Sequence, residues 1–532
     1  MILNLFQVGI YRLLIKIVYY YVGGDNMRKK KSFYNVIFSL GSYFITMIFT
    51  FITQALIVKI LGIEYSGVNG LFTNILTMLS VAELGIGTAI IFKLYNPLAK
   101  ENIEEIKSWM YFYKICYRYV ALFVFIFGMI IIPLVPMIVG QTYIKENLYL
   151  LYIISLLDVV FSYIMTYKRS LLYADQKNYV INVVHIGYVL FMNICQILII
   201  WFTRNYLYFL IIKLIYRLLE NIVINVYVNK HYSYIKEKAV PLSHSERQDI
   251  MERIKAIFIQ KVSFIVNKGI DSITISFFLG VAMVGYYTNY NLVATTLCGI
   301  IFQMISGFMA SIGNLLTEKN KEKSYSIYKV INLLNSSLTT ICVVGFVCCV
   351  EPFIKVWLGN DYVLPTGVII SFGIYIYADS IRRSITIYKE AAGICKEDKY
   401  VYIVMILINL IVSIVLCKFI GISGVILGTA ISYLYLIFYS YPKYIFKKIF
   451  DRPISEYYKE KICFILIMIV TSLTNYFICS FINFGNILNL VFCIIMSFII
   501  TGISIITIFR NTREWKYFKD LVYKLFKKRR KI

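Results

Sequence analysis

Charged residues are scarce in this chain of 532 residues, where they make up 15% against 60% hydrophobic residues. So low a charge content excludes a soluble domain of ordinary size. Histidine is also scarce, with three scattered copies, and no pair among the eleven cysteines has the spacing of a zinc ligand set. We therefore expect no metal site, no cofactor and no histidine-based catalytic triad.

Long apolar runs fill the chain instead. A hydrocarbon core about 30 Å thick needs roughly 20 apolar residues at 1.5 Å rise each, and fourteen segments approach or exceed that length. The segments are residues 32–58, 67–92, 119–139, 148–166, 179–202, 206–228, 257–279, 282–312, 330–350, 363–381, 400–417, 421–441, 462–482 and 486–509. The sequence therefore predicts an all-α polytopic membrane protein with about 14 transmembrane helices.

Lysine and arginine are nearly absent from every second connection between these segments. Of the 54 basic residues, 43 lie in connections on the same side as Arg28–Lys31, and five lie on the opposite side. Because cytoplasmic loops retain positive charge, we expect a protein of the cell membrane with both termini in the cytoplasm. The net charge of +26 is spread over eight cytoplasmic connections, which favours anionic membrane lipids over nucleic acid as a partner.

The two ends of the chain differ from the apolar middle. Met27 begins the run Met-Arg-Lys-Lys-Lys, a common start for a bacterial polytopic protein, so the sequence leaves open whether translation starts at Met1 or Met27. Residues 1–27 are interpreted as an extension or an interfacial helix. Residues 510–532 interleave ten basic residues with aromatic ones, a pattern that predicts a basic cytoplasmic helix on the inner leaflet or a disordered basic tail.

An internal repeat is visible when the chain is compared with itself at an offset of 218 residues. Leu61-Gly62 followed by Gly67 matches Leu279-Gly280 followed by Gly285, and Asn102 matches Asn320. The offset covers six spans, so the two halves have the same orientation and form a parallel pseudo-repeat. The predicted parts after residue 27 are an N-lobe of six spans (28–228), a cytoplasmic linker (229–256), a C-lobe of six spans (257–445), spans 13 and 14 (446–509) and the basic tail (510–532).

Two regions resemble a known family. The run Leu61-Gly62-Ile63-Glu64-Tyr65-Ser66-Gly67, then Glu83-Leu84-Gly85-Ile86-Gly87, is similar to the second-span region of Wzx-type polysaccharide flippases, and Gly421–Thr429 resembles the pattern entering their twelfth span. They belong to the multidrug/oligosaccharidyl-lipid/polysaccharide exporter superfamily. The likeness in layout extends from Met27 to about Arg510. The glycines of the first region are expected to permit close helix packing.

The resemblance implies a function. Such flippases move an undecaprenyl-diphosphate-linked oligosaccharide repeat unit to the outer leaflet, for assembly of capsule, exopolysaccharide or O-antigen. It also implies transport by alternating access of the two lobes. The partners that it implies are the lipid-linked oligosaccharide, a polysaccharide polymerase and glycosyltransferases.

Ionisable residues inside the apolar segments are candidates for function, because each costs about 3 kcal/mol near the bilayer centre. Span six carries Lys213, Arg217 and Glu220 on one helical face, and span seven carries Lys261, Lys268 and Asp271. We hypothesise that the four basic residues bind the diphosphate of the substrate, since arginine offers a fork of donors and lysine a point charge.

The acidic residues of the spans allow a second interpretation. Glu83, Asp158, Glu220 and Asp271 are predicted to act in gating or ion coupling. Alternatively, the four cations and four anions form internal ion pairs that fix helix packing.

Three competing functions share this hydrophobic architecture. A membrane polysaccharide polymerase needs a catalytic platform on the outer face, yet the longest outer connection, about residues 351–362, has roughly a dozen residues; the sequence therefore argues against an enzyme. A cation-coupled multidrug extruder and a peptidoglycan lipid-precursor flippase are harder to separate from the Wzx type. Drug cations favour an acidic cavity, whereas spans six and seven contribute four cations against two acids, which favours an anionic cargo.

Overall fold

The structure, a computed structural model, describes residues 26–517 and 519, apart from residues 84, 85, 165, 176, 238, 319, 395–398 and 482–484. The described part consists of helices and short connections and contains no strand. It divides into two compact units at the Asn289–Tyr290 bond. Residues 1–25, which make up most of the predicted N-terminal extension or interfacial helix (1–27), lie outside the described residues, as does most of the tail after residue 517.

The first unit, Gly24–Asn289, holds ten helices and the start of an eleventh. They are α1 (Asn26–Leu56), α2 (Ile63–Leu79), α3 (Ile86–Ala99), α4 (Ile103–Ile131), α5 (Val135–Val139), α6 (Leu148–Ile164), α7 (Thr166–Ala174), α8 (Asn178–Thr203), α9 (Tyr206–His231), α10 (His244–Leu279) and α11 (Val281–Ser306). A π-helical turn extends α1 to Leu61, and α7 follows α6 at a bend of 43°.

The second unit contains the rest of α11 and nine further helices. They are α12 (Met309–Thr317), α13 (Lys321–Trp357), α14 (Thr366–Ile381), α15 (Arg383–Ala391), α16 (Lys399–Ile420), α17 (Ile422–Tyr435), α18 (Lys447–Phe450), α19 (Ile454–Ser480) and α20 (Asn486–Phe509). A long π-helical segment, Leu436–Phe446, joins α17 to α18. The predicted boundary between lobes, within residues 229–256, stays a prediction.

Helix boundaries recur at the offset that the sequence comparison gives. The helices α1, α2, α4 and α6 have counterparts that begin 218 residues later, namely α10, α11, α13 and α14. Equivalent residues also begin these helices in the same way. Gly62 and Gly280, each with a positive φ that suits glycine, precede α2 and α11. The helix starts therefore agree with the offset of the repeat, and its parallel orientation stays a prediction.

Asn102 and Asn320 cap the equivalent helices α4 and α13. The Asn102 carboxamide oxygen accepts from the Glu105 amide at 3.3 Å, and that of Asn320 accepts from the Lys323 amide at 2.9 Å. Each carboxamide satisfies an amide that has no partner within the first turn of its helix. The asparagine match found in the sequence therefore has a structural cause.

Replacing the Asn320 cap gives a first prediction. Asn320→Ala is expected to lower the free energy of unfolding by about 1 kcal/mol, because it removes the acceptor for the Lys323 amide. Asn320→Asp keeps an acceptor at this position and serves as the control. Thermal unfolding of the detergent-solubilised protein measures both variants, and equal midpoints for the two would contradict the capping role.

All fourteen apolar segments predicted from the sequence coincide with helices or with bent groups of helices in the described part. Nine helices of that part are long and apolar enough to cross a membrane, or ten when α6 and α7 count as one bent span. The all-helical, multi-pass character is thus confirmed, while the number fourteen stays a prediction.

Candidate functional site

Two acids and two bases predicted from the sequence meet between α6 and α9. Lys213 Nζ lies 3.3 Å from Asp158 Oδ2, and Arg217 Nε lies 3.2 Å from Asp158 Oδ1. Arg217 also reaches one turn along α9, where Nη1 lies 3.3 Å from Glu220 Oε2. The spacing of 213, 217 and 220 on one helical face therefore produces a connected chain of charges.

Glu220 receives two further partners, Arg169 on α7 and His185 on α8. Arg169 Nη2 lies 3.1 Å from Glu220 Oε2, and His185 Nδ1 lies 3.1 Å from Glu220 Oε1. Arg169 also donates to the Asn221 side chain at 2.9 Å. Sequence reasoning missed Arg169 and His185. The first was counted among the basic residues of a cytoplasmic connection, and the second was a lone histidine.

The charged face of α9 points away from the face that carries exposed apolar side chains. Those exposed side chains are Ile215, Leu219, Ile222 and Val226. At 3.6 residues per turn, they lie on the opposite side of the helix from Lys213 and Arg217. The two cations therefore face the helices of their own unit rather than the surface suited to lipid.

Burial differs between the acids and bases of this cluster. The Asp158 and Glu220 side chains are 7% and 0% exposed, whereas Lys213, Arg217 and Arg169 are 32%, 23% and 18% exposed. Three basic side chains thus lie over two buried carboxylates, which leaves one positive charge in excess when His185 is neutral. Arg217 is held further by the Tyr188 ring, 5.3 Å from its guanidinium carbon. This arrangement can bind an oxyanion through partly accessible guanidinium and ammonium groups.

Glu83 belongs to a different set of contacts. Its carboxylate accepts a hydrogen bond from the Tyr117 hydroxyl. Tyr113 donates to Tyr117 at 3.1 Å, and its hydroxyl lies 2.8 Å from that of Ser170. Glu83 is therefore tied to a buried tyrosine pair of α4.

Asp271 and the two lysines of α10 complete the predicted set. Asp271 is 3% exposed, and its carboxylate accepts from the Tyr287 hydroxyl at 3.2 Å. The side chains of Lys261 and Lys268 lie outside the described part of the structure, so their role stays a prediction. Among the described residues, no group of histidine, cysteine or acidic side chains is arranged to hold a metal ion.

A family model described as "Polysaccharide biosynthesis protein" matches residues 56–364, more than half of the chain. The chain belongs to this polysaccharide biosynthesis family, which confirms the resemblance found in the sequence. No curated protein matches the chain.

Solved structures with the same fold are distant in sequence. The lipid II flippase MurJ, in an inward closed conformation, aligns with a TM-score of 0.66 and 17% identity over 90% of this chain and 99% of that chain. An inward-facing MATE multidrug resistance transporter of the MOP superfamily aligns with a TM-score of 0.58 and 13% identity, over 73% and 91%. A variant of the Vibrio cholerae MATE transporter VcmN aligns with a TM-score of 0.53 and 12% identity, over 76% of this chain and 93% of that chain.

Proposed function

We propose that this protein is a flippase that moves an undecaprenyl-diphosphate-linked oligosaccharide repeat unit from the inner to the outer leaflet of the cytoplasmic membrane. The observation that carries the proposal is the cluster around Asp158 and Glu220, in which three partly accessible cations lie over two buried acids. Membership of a polysaccharide biosynthesis family and a fold shared with a lipid II flippase support the same class of cargo.

Each charged residue has a proposed role. Arg217 and Arg169 offer planar forks of donors to phosphate oxygens, and Lys213 adds a point charge. Lys261 and Lys268 on α10 are proposed to contribute two more cations to the diphosphate. Four acids are proposed to act in gating or ion coupling: Glu83, Asp158, Glu220 and Asp271. Of these, Asp158 and Glu220 are proposed to pair again with the cations after the substrate is released.

The proposed cycle is alternating access, with both termini in the cytoplasm. Because the cell interior is negative, outward passage of a lipid-bound anion is favoured by about 2.3 kcal/mol per charge per 100 mV when the carrier returns without compensating charge. Glycosyltransferases build the cargo before this step and a polymerase uses it afterwards, so both are proposed partners. No bond is made or broken, and the protein is proposed not to be an enzyme.

Removal of the four predicted cations tests the function. The change replaces Lys213, Arg217, Lys261 and Lys268 with glutamine. We expect surface glycan to be lost and the lipid-linked repeat unit to accumulate on the inner leaflet, because the diphosphate loses its charge partners. A matched control replaces four exposed lysines with glutamine: Lys321, Lys323, Lys447 and Lys448. Normal glycan export by the first variant, at equal expression, refutes the assignment.

Two other cargo classes share this fold, and the fold likeness to MATE transporters keeps drug extrusion as the second candidate. A strain that lacks the gene distinguishes them. Loss of surface glycan supports the proposal, a gain in drug sensitivity supports an extruder, and arrest of cell-wall growth supports a peptidoglycan precursor flippase.

A further inference from the structure

A second cluster of charge lies where α14 ends and α15 begins, in the second unit. Asp379 is near the end of α14, Arg382 lies between the two helices, and Arg383 begins α15. Arg382 Nη2 is 2.5 Å from Asp379 Oδ1, and Arg383 Nη2 is 2.6 Å from Asp379 Oδ2. One carboxylate therefore lies between two guanidinium groups, and the cluster carries one positive charge in excess.

The three side chains differ in accessibility. Asp379 and Arg382 are 4% and 5% exposed, whereas Arg383 is 20% exposed. Tyr433 lies against the Arg382 guanidinium, 4.8 Å from ring centre to Cζ, and Phe302 lies 5.0 Å from that of Arg383. Arg383 is thus held in place by a buried acid and an aromatic ring while part of its side chain stays accessible.

This cluster has the same kinds of residue as the cluster of the first unit, at positions that the 218-residue offset does not relate. The short helices α7 and α15 have nine residues each, follow equivalent long helices and begin 217 residues apart. Each brings an arginine to a buried carboxylate, Arg169 to Glu220 and Arg383 to Asp379. The exposures of these arginines, 18% and 20%, are nearly equal. Each unit therefore carries a partly accessible arginine on a short helix and a surplus positive charge beside it.

We propose that Arg383, oriented by Asp379 and backed by Arg382, binds a phosphate group of an isoprenyl diphosphate. The proposal rests on the proposed function and adds a second anion-binding site to it, within the C-terminal half. A guanidinium with one edge on a carboxylate keeps donors for a phosphate oxygen, and a buried arginine close by adds to the positive potential. The charge surplus makes an anion a favourable fourth member of the cluster.

Variants with opposite effects on binding test this site. With farnesyl diphosphate as the probe and the full-length protein in detergent, Arg383→Gln is expected to raise the Kd by about tenfold or more, because a charged hydrogen bond is lost. Asp379→Asn is expected to lower the Kd, because it removes the anion that competes with phosphate for both arginines. If the cluster only stabilises the fold, the two substitutions do not change the Kd in opposite directions. Arg383→Lys keeps the charge without the fork and is expected to lie between wild type and Arg383→Gln.

The control removes a cation of the same unit from a surface ion pair. Arg452 lies 2.6 Å from Glu322, which is 75% exposed, and Arg452→Gln is expected to leave the Kd unchanged. Thermal unfolding verifies that every variant is folded. A Kd of folded Arg383→Gln equal to that of Arg452→Gln overturns the inference.

Further arms of the experiment separate ligand source from function. If Arg383→Gln weakens the binding of farnesyl diphosphate, the proposed site is supported, whether or not the binding of inorganic pyrophosphate is also weakened. If Arg383→Gln weakens the binding of pyrophosphate alone, the assignment to a lipid ligand is overturned. If Arg383→Gln binds and exports normally while Lys213→Gln with Arg217→Gln abolishes export, only this inference fails. If the wild-type protein binds no isoprenyl diphosphate, the proposed function itself is refuted.

Discussion

Glu220→Ala is expected to lower the free energy of unfolding by about 3–5 kcal/mol, because it leaves several cations without their shared anion. The Glu220 carboxylate is fully buried and contacts Arg169, Arg217 and His185. Without it, Arg169 and Arg217 lose the carboxylate that they share, and Asp158 still pairs with Arg217. The measurement is the thermal unfolding midpoint of the purified protein in detergent, read together with the yield of folded protein.

Glu318→Ala is the matched control for this prediction. Glu318 lies 2.6 Å from Lys323, and both side chains are about half exposed. Such a pair contributes about 0–1 kcal/mol, so the midpoint is expected to change little. Adding Arg217→Gln to Glu220→Ala removes one of the stranded charges and is expected to restore part of the loss. Equal effects of Glu220→Ala and Glu318→Ala contradict the central place of Glu220 in the cluster.

The helices and the repeat of this fold were predictable because both depend on local sequence. Apolar runs identify spans regardless of what packs against them, and the starts of α2 and α11 follow from the glycines at 62 and 280. Half of the first-unit cluster was predictable for the same reason, since Lys213, Arg217 and Glu220 share a face at helical spacing. The depth to which each of these side chains is buried was not predictable, because burial depends on the neighbouring helices.

The remaining members of the clusters depend on contacts between residues distant in the chain. Arg169 follows the apolar part of its span, on a helix that follows α6 at a bend of 43°, and it contacts Glu220 on α9. Arg382 and Arg383 likewise read as residues of a cytoplasmic connection, although Asp379 lies within an apolar segment and was a signal that sequence reasoning missed. A break between two helices has no clear periodic pattern in the sequence, so these arginines near the ends of spans were assigned to loops.

Repeat-equivalent residues also contact each other within the first unit. A Cβ atom added to Gly67 lies 2.1 Å from the Val281 carbonyl oxygen, and one added to Gly285 lies 2.3 Å from the Ile63 carbonyl oxygen. These two contacts interchange under the 218-residue offset, so the starts of α2 and α11 meet in a reciprocal way. Glycine at both positions is what permits backbone to approach backbone this closely.

Polar contacts next to these glycines strengthen the same junction. Gln54 Nε2 donates to Ser66 Oγ at 2.5 Å and to Asn289 Oδ1 at 2.7 Å, and all three residues are buried. The alternating access proposed for this protein requires that some contacts between repeat-equivalent helices form and break in every cycle. In the first unit, a contact of this kind is the junction of small residues and side-chain hydrogen bonds between α2 and α11. We therefore expect the Gly67 contact to be one that transport requires.

Gly67→Leu is accordingly expected to reduce glycan export by about tenfold or more. Overpacking a junction costs about 1–3 kcal/mol, and a cost of about 1.4 kcal/mol shifts a conformational equilibrium tenfold. In a chain without native cysteines, Ser66→Cys is expected to resist a membrane-impermeant maleimide, whereas adding Gly67→Leu exposes it. Gly187→Ala is the control, because a Cβ there meets nothing within 4 Å, and alanine favours helix. Unchanged export and unchanged labelling in folded Gly67→Leu mean that the junction does not take part in transport.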